Sequence, residues 1–378
     1  MRVKRIIAAA LLVFVTAAAA TAAPLETPPT HNSFAAVVEN RIWTENPAEA
    51  QQFASLIADA GYNAVRIFVP YSPGQAEIEN DKRRLCNAAV AARDHGLALI
   101  VSLLGINGYV PQGWSRVDRL IKTINDHMYY LFQVEKDQNG QTTPMGCTTD
   151  VKQFDVEIFN EINGKTWHIE PDQYARILAR VYPAVKAKAA ELGVSATVFA
   201  GALTSKDNPL DYIRQWGAAS TTRSFDVFTF HPYPLSSGEP PVTRHPDGTF
   251  VGLGDYSQLT STLKQAFGYI PPIFYSELGY ESEIPKSQQY RYQGNSPATV
   301  RPVPEPTQGQ FYAKVRELVS QQPGTIGFAD FHLIDDPEMV RWQSGTYYAD
   351  GGNPANPLIA KTSLSAVRQA NQWFLSEP

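Results

Sequence analysis

Residues 154–203 read FDVEIFNEINGKTWHIEPDQYARILARVYPAVKAKAAELGVSATVFAGAL. Two apolar runs, 154–160 and 196–203, bracket a segment in which Tyr174, Ile177, Leu178, Val181, Tyr182 and Val185 recur at i, i+3, i+4, i+7, i+8 and i+11. Short continuous apolar runs suit strands buried on both faces, and the spacing between them suits one apolar helix face. The stretch is therefore a strand–helix–strand unit, which a parallel sheet requires. Pro183 falls inside the helical pattern and is expected to kink or split it, because it lacks an N–H and crowds the preceding turn.

The same unit recurs in both directions. Further apolar runs occupy 33–38, 64–70, 97–104, 225–231, 272–277 and 325–333, giving eight candidate strands. Asn46-Pro47-Ala48-Glu49 supplies an N-cap, a proline at the first helical position and an early acid, and Phe53, Leu56, Ile57 and Ala60 follow before Gly61. Cys86 lies in a helical stretch closed by Gly96, and other helices are expected at 114–132, 210–216, 256–267, 308–320 and 363–374. Eight such units over about 340 residues match a (β/α)8 TIM barrel, an α/β fold in a single domain, better than an open doubly wound sheet. Helix-to-strand turns are mostly tight. The exits from strands six, seven and eight (234–255, 278–307 and 334–362) are long, and in a barrel they share the face where sites are built.

The chain begins differently. Arg2, Lys4 and Arg5 precede an apolar run at 6–15 and a small-residue stretch, and Ala20-Thr21-Ala22 offers an A-x-A cleavage site. This pattern predicts a secretory signal peptide over 1–22 and a mature barrel over 23–378, extracellular, periplasmic or cell-wall associated. An uncleaved anchor is disfavoured, since the apolar core is about half the ~20 residues of a span. Without those three cations, 29 Lys and Arg face 37 Asp and Glu, so a nucleic-acid partner is not expected. A monomer is expected. Cys86 and Cys147 would then sit where disulfides persist, but sequence leaves open whether they pair or stay as buried thiols. The long connection at 133–153 that carries Cys147 has no functional reading.

Acids at strand ends carry the chemistry. The fourth strand ends in Asn160-Glu161 and the seventh in Glu277, and barrel geometry points both over one mouth. Two carboxyl groups facing across a pocket suit glycosidic bond cleavage, where one protonates the leaving oxygen and the other attacks or stabilises the oxocarbenium-like carbon. A lone strand-end Glu is more often half of an ion pair; two at these positions, with the motifs around them, reverse that reading.

Those motifs resemble clan A of the retaining glycoside hydrolases, including families 5 and 39, over nearly the whole mature chain. The resemblance implies that Glu161 is the acid/base and Glu277 the nucleophile of a double displacement on β-glycosides in a polysaccharide or cell-wall glycan. It also matches Arg66, in Asn63-Ala64-Val65-Arg66, and His231-Pro232-Tyr233. Arg66 and Tyr233 would hold the nucleophile ionised, and Asn160 would bind the neighbouring sugar hydroxyl. Arg66 could equally neutralise Glu157, and the two roles are compatible. The chain departs from the pattern at Ile162, where a proline is usual, and in its eighth strand, which lacks the tryptophan that floors the reacting subsite. Trp342 or His332 could substitute, leaving open a furanose-accepting subsite of the galactofuranosidase or arabinofuranosidase type.

Tyr109, Trp114, Trp167, Tyr280, Trp342 and Tyr347 lie in or beside strand-exit loops and are candidates for stacking on sugar faces, although each alone more often anchors a loop. Asp335, Asp336 and Glu338 form an acidic cluster that could bind sugar hydroxyls or a cation but reads more readily as a solvated loop. H-E-x-x-H, C-x-x-C, G-x-S-x-G and P-loop motifs are absent and the seven histidines are scattered, so no metal or other cofactor is expected. The competing reading is a barrel that binds glycans without cleaving them.

Overall fold

The eight apolar runs form eight strands: β1 Phe34–Val38, β2 Ala64–Tyr71, β3 Ala98–Gly105, β4 Gln153–Ile158, β5 Ser195–Thr204, β6 Val227–His231, β7 Ile273–Leu278 and β8 Thr325–Phe331. In the computed structural model, which describes residues 33–71, 78–105, 114–136, 142–351 and 356–377, they close into one barrel in the order β1-β8-β7-β6-β5-β4-β3-β2. The pairing is parallel throughout, as in the β2–β3 ladder from Ala64↔Ala98 to Tyr71↔Gly105. Closure is tight where β1 meets β8. Gly327 has φ +148, and a Cβ there would lie 2.1 Å from the Phe34 carbonyl oxygen. The segment 1–22 read as a signal peptide lies outside the described residues, as does Tyr109.

The described residues hold eight α-helices: α1 Pro47–Asp59, α2 Ile78–Asp94, α3 Trp114–Phe132, α4 Pro171–Leu192, α5 Pro209–Ala219, α6 Tyr256–Phe267, α7 Glu305–Ser320 and α8 Ser363–Ser376. Asn46 caps α1, its side chain accepting from the Ala48 N–H at 3.1 Å. Helix α4 is not split at Pro183. Its buried stripe, including Tyr174, Ile177, Leu178, Val181 and Val185, continues on both sides of the proline, so packing outweighs one forfeited hydrogen bond. Strand alternation divides the core. Phe34, Ala36 and Val38 join Phe199 and Phe274 in one buried cluster, the barrel interior, whereas Ala35 and Val37 belong to the larger layer packed with the helices.

The unexplained connection at 133–153 proves to be a helix cap. Strands Val134–Lys136 and Thr142–Pro144 form a small antiparallel hairpin. Beyond it, the N–H groups of Gly146, Cys147 and Thr148 donate to the carbonyls of Gln133, Tyr130 and Leu131 at 2.9–3.1 Å. These satisfy acceptors that the end of α3 would otherwise leave unpaired. Cys86 and Cys147 form a disulfide with Cα atoms 5.8 Å apart, fastening this segment to α2. Among the described residues, no helix is long and apolar enough to cross a membrane.

Candidate active site

Backbone geometry lifts the candidate acid off β4. Phe159 and Glu161 have positive φ values of 70° and 47°, a conformation that costs an L-residue on the order of 1–3 kcal/mol. Neighbouring bonds hold it: the Glu161 N–H donates to the Ala202 carbonyl at 2.8 Å, and Gly164 N–H donates to the Glu161 carbonyl at 2.7 Å. Glu277 remains within β7, on the face that alternation turns inward.

Arg66 organises the floor. It alternates with Ala64 on the interior face of β2, and its guanidinium is fully buried. Nη1 donates to Glu277 Oε1 at 2.8 Å, Nε to Glu157 Oε2 at 2.8 Å, and Nη2 to Asn160 Oδ1 at 2.9 Å and Ser102 Oγ at 3.0 Å. Both roles open to Arg66 in the sequence are thus occupied at once. Burial alone would lower the Arg66 pKa, but Glu157 and Glu277 outweigh it and raise it. Burial would likewise raise that of Glu157, yet Arg66, with help from His231 and Ser102, carries it below the ordinary carboxylate value.

The two acids meet above this floor. Tyr233 donates its hydroxyl to Glu277 Oε2 at 3.1 Å. Burial, then the negative charges of Glu277 and Glu161, push the phenol well above its ordinary pKa, so it stays a donor. His231 Nδ1 lies 3.3 Å from Glu161 Oε1 and 3.6 Å from Glu277 Oε2, and its Nε2 lies 3.1 Å from Ser276 Oγ. One ligand-type atom from each of Glu161, His231 and Glu277 falls within 4.8 Å of the others. Such a trio could face a cation, but the Arg66 guanidinium, bonded to Glu277 at 2.8 Å, would repel one. With this donor set the arrangement suits proton transfer and stabilisation of positive charge between two carboxyls.

Glu161 and Glu277 line a cleft of about 620 Å³, together with Asn160, Tyr233, Trp167 and Trp342. Arg66 and His231 lie beneath this lining. Trp342 stands 4.9 Å from the Tyr233 ring and 5.4 Å from Phe331, with 38% exposure, so the β8-exit loop supplies an aromatic wall that the strand lacks. His332 instead stacks on Phe331 at 4.0 Å, places Nδ1 3.6 Å from Asp336 and does not line the cleft. Trp114 opens α3, and its side chain lies outside the described residues. Tyr280 and Tyr347 are buried loop anchors.

Three residues differ from the sequence reading or escape it. Asp335 is not solvated: it is fully buried and paired with Lys361 at 2.6 Å, and the lysine lies too far along the chain for spacing to reveal. Ser102 and Glu281 were also missed as parts of the site. Ser102 follows Ile100 by two residues on an inward strand face, a periodicity that could have flagged it; Glu281 sits in a loop without periodicity.

No protein-family model matches the chain, and no curated protein matches it in sequence. Solved structures do. The exo-beta-1,4-mannosidase Op5Man5 from Opitutaceae bacterium strain TAV5 superposes with a TM-score of 0.54 at 14% identity, over 91% of this chain and 60% of that one. GH5_18 from Streptomyces cattleya, in complex with GlcNAc, gives 0.57 at 14% over 92% and 82%. The Ignisphaera aggregans GH53 catalytic domain gives 0.58 at 12% over 91% and 98%. The chain thus spans about 60% of the length of Op5Man5 but nearly all of the GH53 domain. Its architecture is the (β/α)8 barrel of these glycoside hydrolases.

Proposed function

We propose that this protein is a retaining glycoside hydrolase acting on β-linked glycans of a polysaccharide or cell wall, with Glu277 as nucleophile and Glu161 as acid/base. The observation that carries the reading is the approach of the two side chains at the mouths of β4 and β7, with carboxylate oxygens within 4.8 Å. That upper bound on one pair of oxygens supports the close spacing of a retaining enzyme, roughly 5–5.5 Å between carboxyl groups, over the roughly 6.5–9.5 Å that inverting enzymes reserve for water.

Each neighbour has a task in this mechanism. Arg66 and Tyr233 hold Glu277 in place by their hydrogen bonds, so it can attack the anomeric carbon while Glu161 protonates the departing oxygen. Asn160, fixed by Arg66, offers its remaining amide donors to the adjacent sugar hydroxyl. Trp342 and Trp167 provide apolar faces for sugar rings. A wall contributed by a loop rather than by β8 supports a subsite that accommodates furanose rings.

The same reading includes export and removal of residues 1–22, supported by their composition and by the Cys86–Cys147 disulfide, which persists in oxidising compartments. The test is a panel of aryl pyranosides and furanosides with β-glucans and mannans, followed by NMR of the first-formed anomer. Turnover with retained configuration, lost on the order of 10³-fold or more in Glu277→Gln, is the expected result. Inversion would overturn the mechanism. Glycan binding without turnover would favour a non-catalytic barrel.

A further inference from the structure

We propose that Glu281 is a sugar-recognition residue of this cleft, exchanging hydrogen bonds with a hydroxyl of the bound glycan and so helping to decide which sugar is accepted; this rests on the cleft being a glycan site. Glu281 lines the cleft beside Ser236, Ser237 and Val300, yet only 4% of its surface is exposed. Its Oε2 is buried without a hydrogen-bond partner. A carboxyl held there for structure would be ion-paired, as Asp335 is with Lys361 at 2.6 Å; Glu157 also leaves its Oε1 unpaired, but its Oε2 is held by Arg66 and Ser102. An orphaned polar atom on a residue that lines a binding cleft is instead explained by a ligand that completes it.

The group is held ready. The Glu281 N–H donates to Ser237 Oγ at 2.9 Å, the Val303 N–H donates to the Glu281 carbonyl at 3.0 Å, and the adjoining Tyr280 N–H donates to the Tyr312 hydroxyl at 3.3 Å. These bonds fix the backbone that carries the carboxyl before any ligand arrives, limiting the ordering cost of binding. The charged groups facing it are Asp335 and Asp336 from the β8 exit and Lys361 from the approach to α8. Lys361 is engaged by Asp335, Ser282 Oγ at 2.8 Å and the Gln343 carbonyl at 3.1 Å.

Burial, reinforced by Asp335 and only partly opposed by Lys361, pushes the Glu281 carboxyl up to about 8. At neutral pH it is therefore an acid, with an O–H to give and a carbonyl to receive. A sugar hydroxyl offers the reciprocal pair. A site built around such an exchange rejects sugars whose hydroxyl is missing or misplaced, because its own polar atoms are then left unpaired.

Calorimetric binding of β-1,4-linked mannotetraose, cellotetraose and galactotetraose and of an arabinofuranosyl tetraose, in a Glu277→Gln parent, tests this. For the tetraose bound best, Glu281→Ala should weaken affinity about ten-fold at about pH 6.5, a loss typical of a hydrogen bond in a buried site. Glu281→Gln, which keeps a donor and an acceptor, should recover most of it. Raising the pH to about 9.5 should weaken the parent about ten-fold as its acid ionises, and leave the Gln protein flat. Equal affinity in the Ala protein, equal pH slopes in the Glu and Gln proteins, or a parent that binds none of the tetraoses would each overturn the proposal. If the Ala protein does not fold, the Glu/Gln pH comparison decides alone. Wild-type turnover is scored separately, so a protein that binds without cleaving refutes the hydrolase reading while still deciding Glu281.

Discussion

Arg66 is the residue on which most of the site converges, since it touches Glu157, Ser102, Asn160 and Glu277 from one buried position. Removing a buried charge that compensates others costs about 3–5 kcal/mol. Arg66→Met is therefore expected to lower stability by that order in denaturant titration and to abolish turnover. At Glu161 the expected effect depends on substrate: Glu161→Ala should slow glycans about 10²–10⁴-fold but spare activated aryl glycosides, which depart without full protonation. Steady-state rates on both classes check this, and equal losses would remove Glu161 from the acid role. Glu281 carries a stability prediction of its own. An acid whose folded pKa is raised destabilises the fold once pH passes its ordinary value of 4.5, because only the unfolded chain then ionises freely. Glu281→Gln should raise Tm near about pH 8 and leave it unchanged near about pH 4, read by paired thermal melts.

At the scale of elements, the segment after α3 shows how a connection without periodicity can have a definite task. Gly146 fits because a Cβ there would lie 2.4 Å from the Leu131 carbonyl oxygen that the cap must approach. Gly146→Ala should force that contact apart and cost about 1–3 kcal/mol, measurable by denaturant unfolding. The disulfide closes a 61-residue separation, worth about 4 kcal/mol on a chain-entropy account. Reduction, or Cys86→Ser with Cys147→Ser, should lower Tm by several degrees while leaving the strand-end site, which neither cysteine touches, in place. The sequence permitted both the pair and two free thiols, since Cα separation is a property of the folded chain. Pro183 shows the converse: the local rule allowed a kink or a split, and α4 is not split, because the apolar stripe on either side of the proline is buried.

For the whole molecule, the central electrostatic consequence is acid sensitivity. Glu157 is held below its ordinary pKa inside the barrel, so its contribution to stability is present above about pH 4.5 and disappears as pH falls through the lower folded value. Circular dichroism across an acid titration should show unfolding in that range, delayed in no variant that retains the Arg66–Glu157 pair. The barrel itself was legible in advance because burial on both faces imposes continuous apolar runs, and covering helices impose their own period. Glu161 and Glu277 were legible because charge at the end of such a run demands an explanation. Alternation along the chain determined the strands, their inward faces and the two acids. Only the closed barrel decided that Arg66 reaches four partners on β3, β4 and β7 and the β4 exit, that Cys86 meets Cys147, that Trp342 rather than His332 borders the cleft, and that Glu281 Oε2 is buried without a hydrogen-bond partner. Those outcomes depend on distances between residues far apart in the chain, and the period of a local pattern carries no information about such distances.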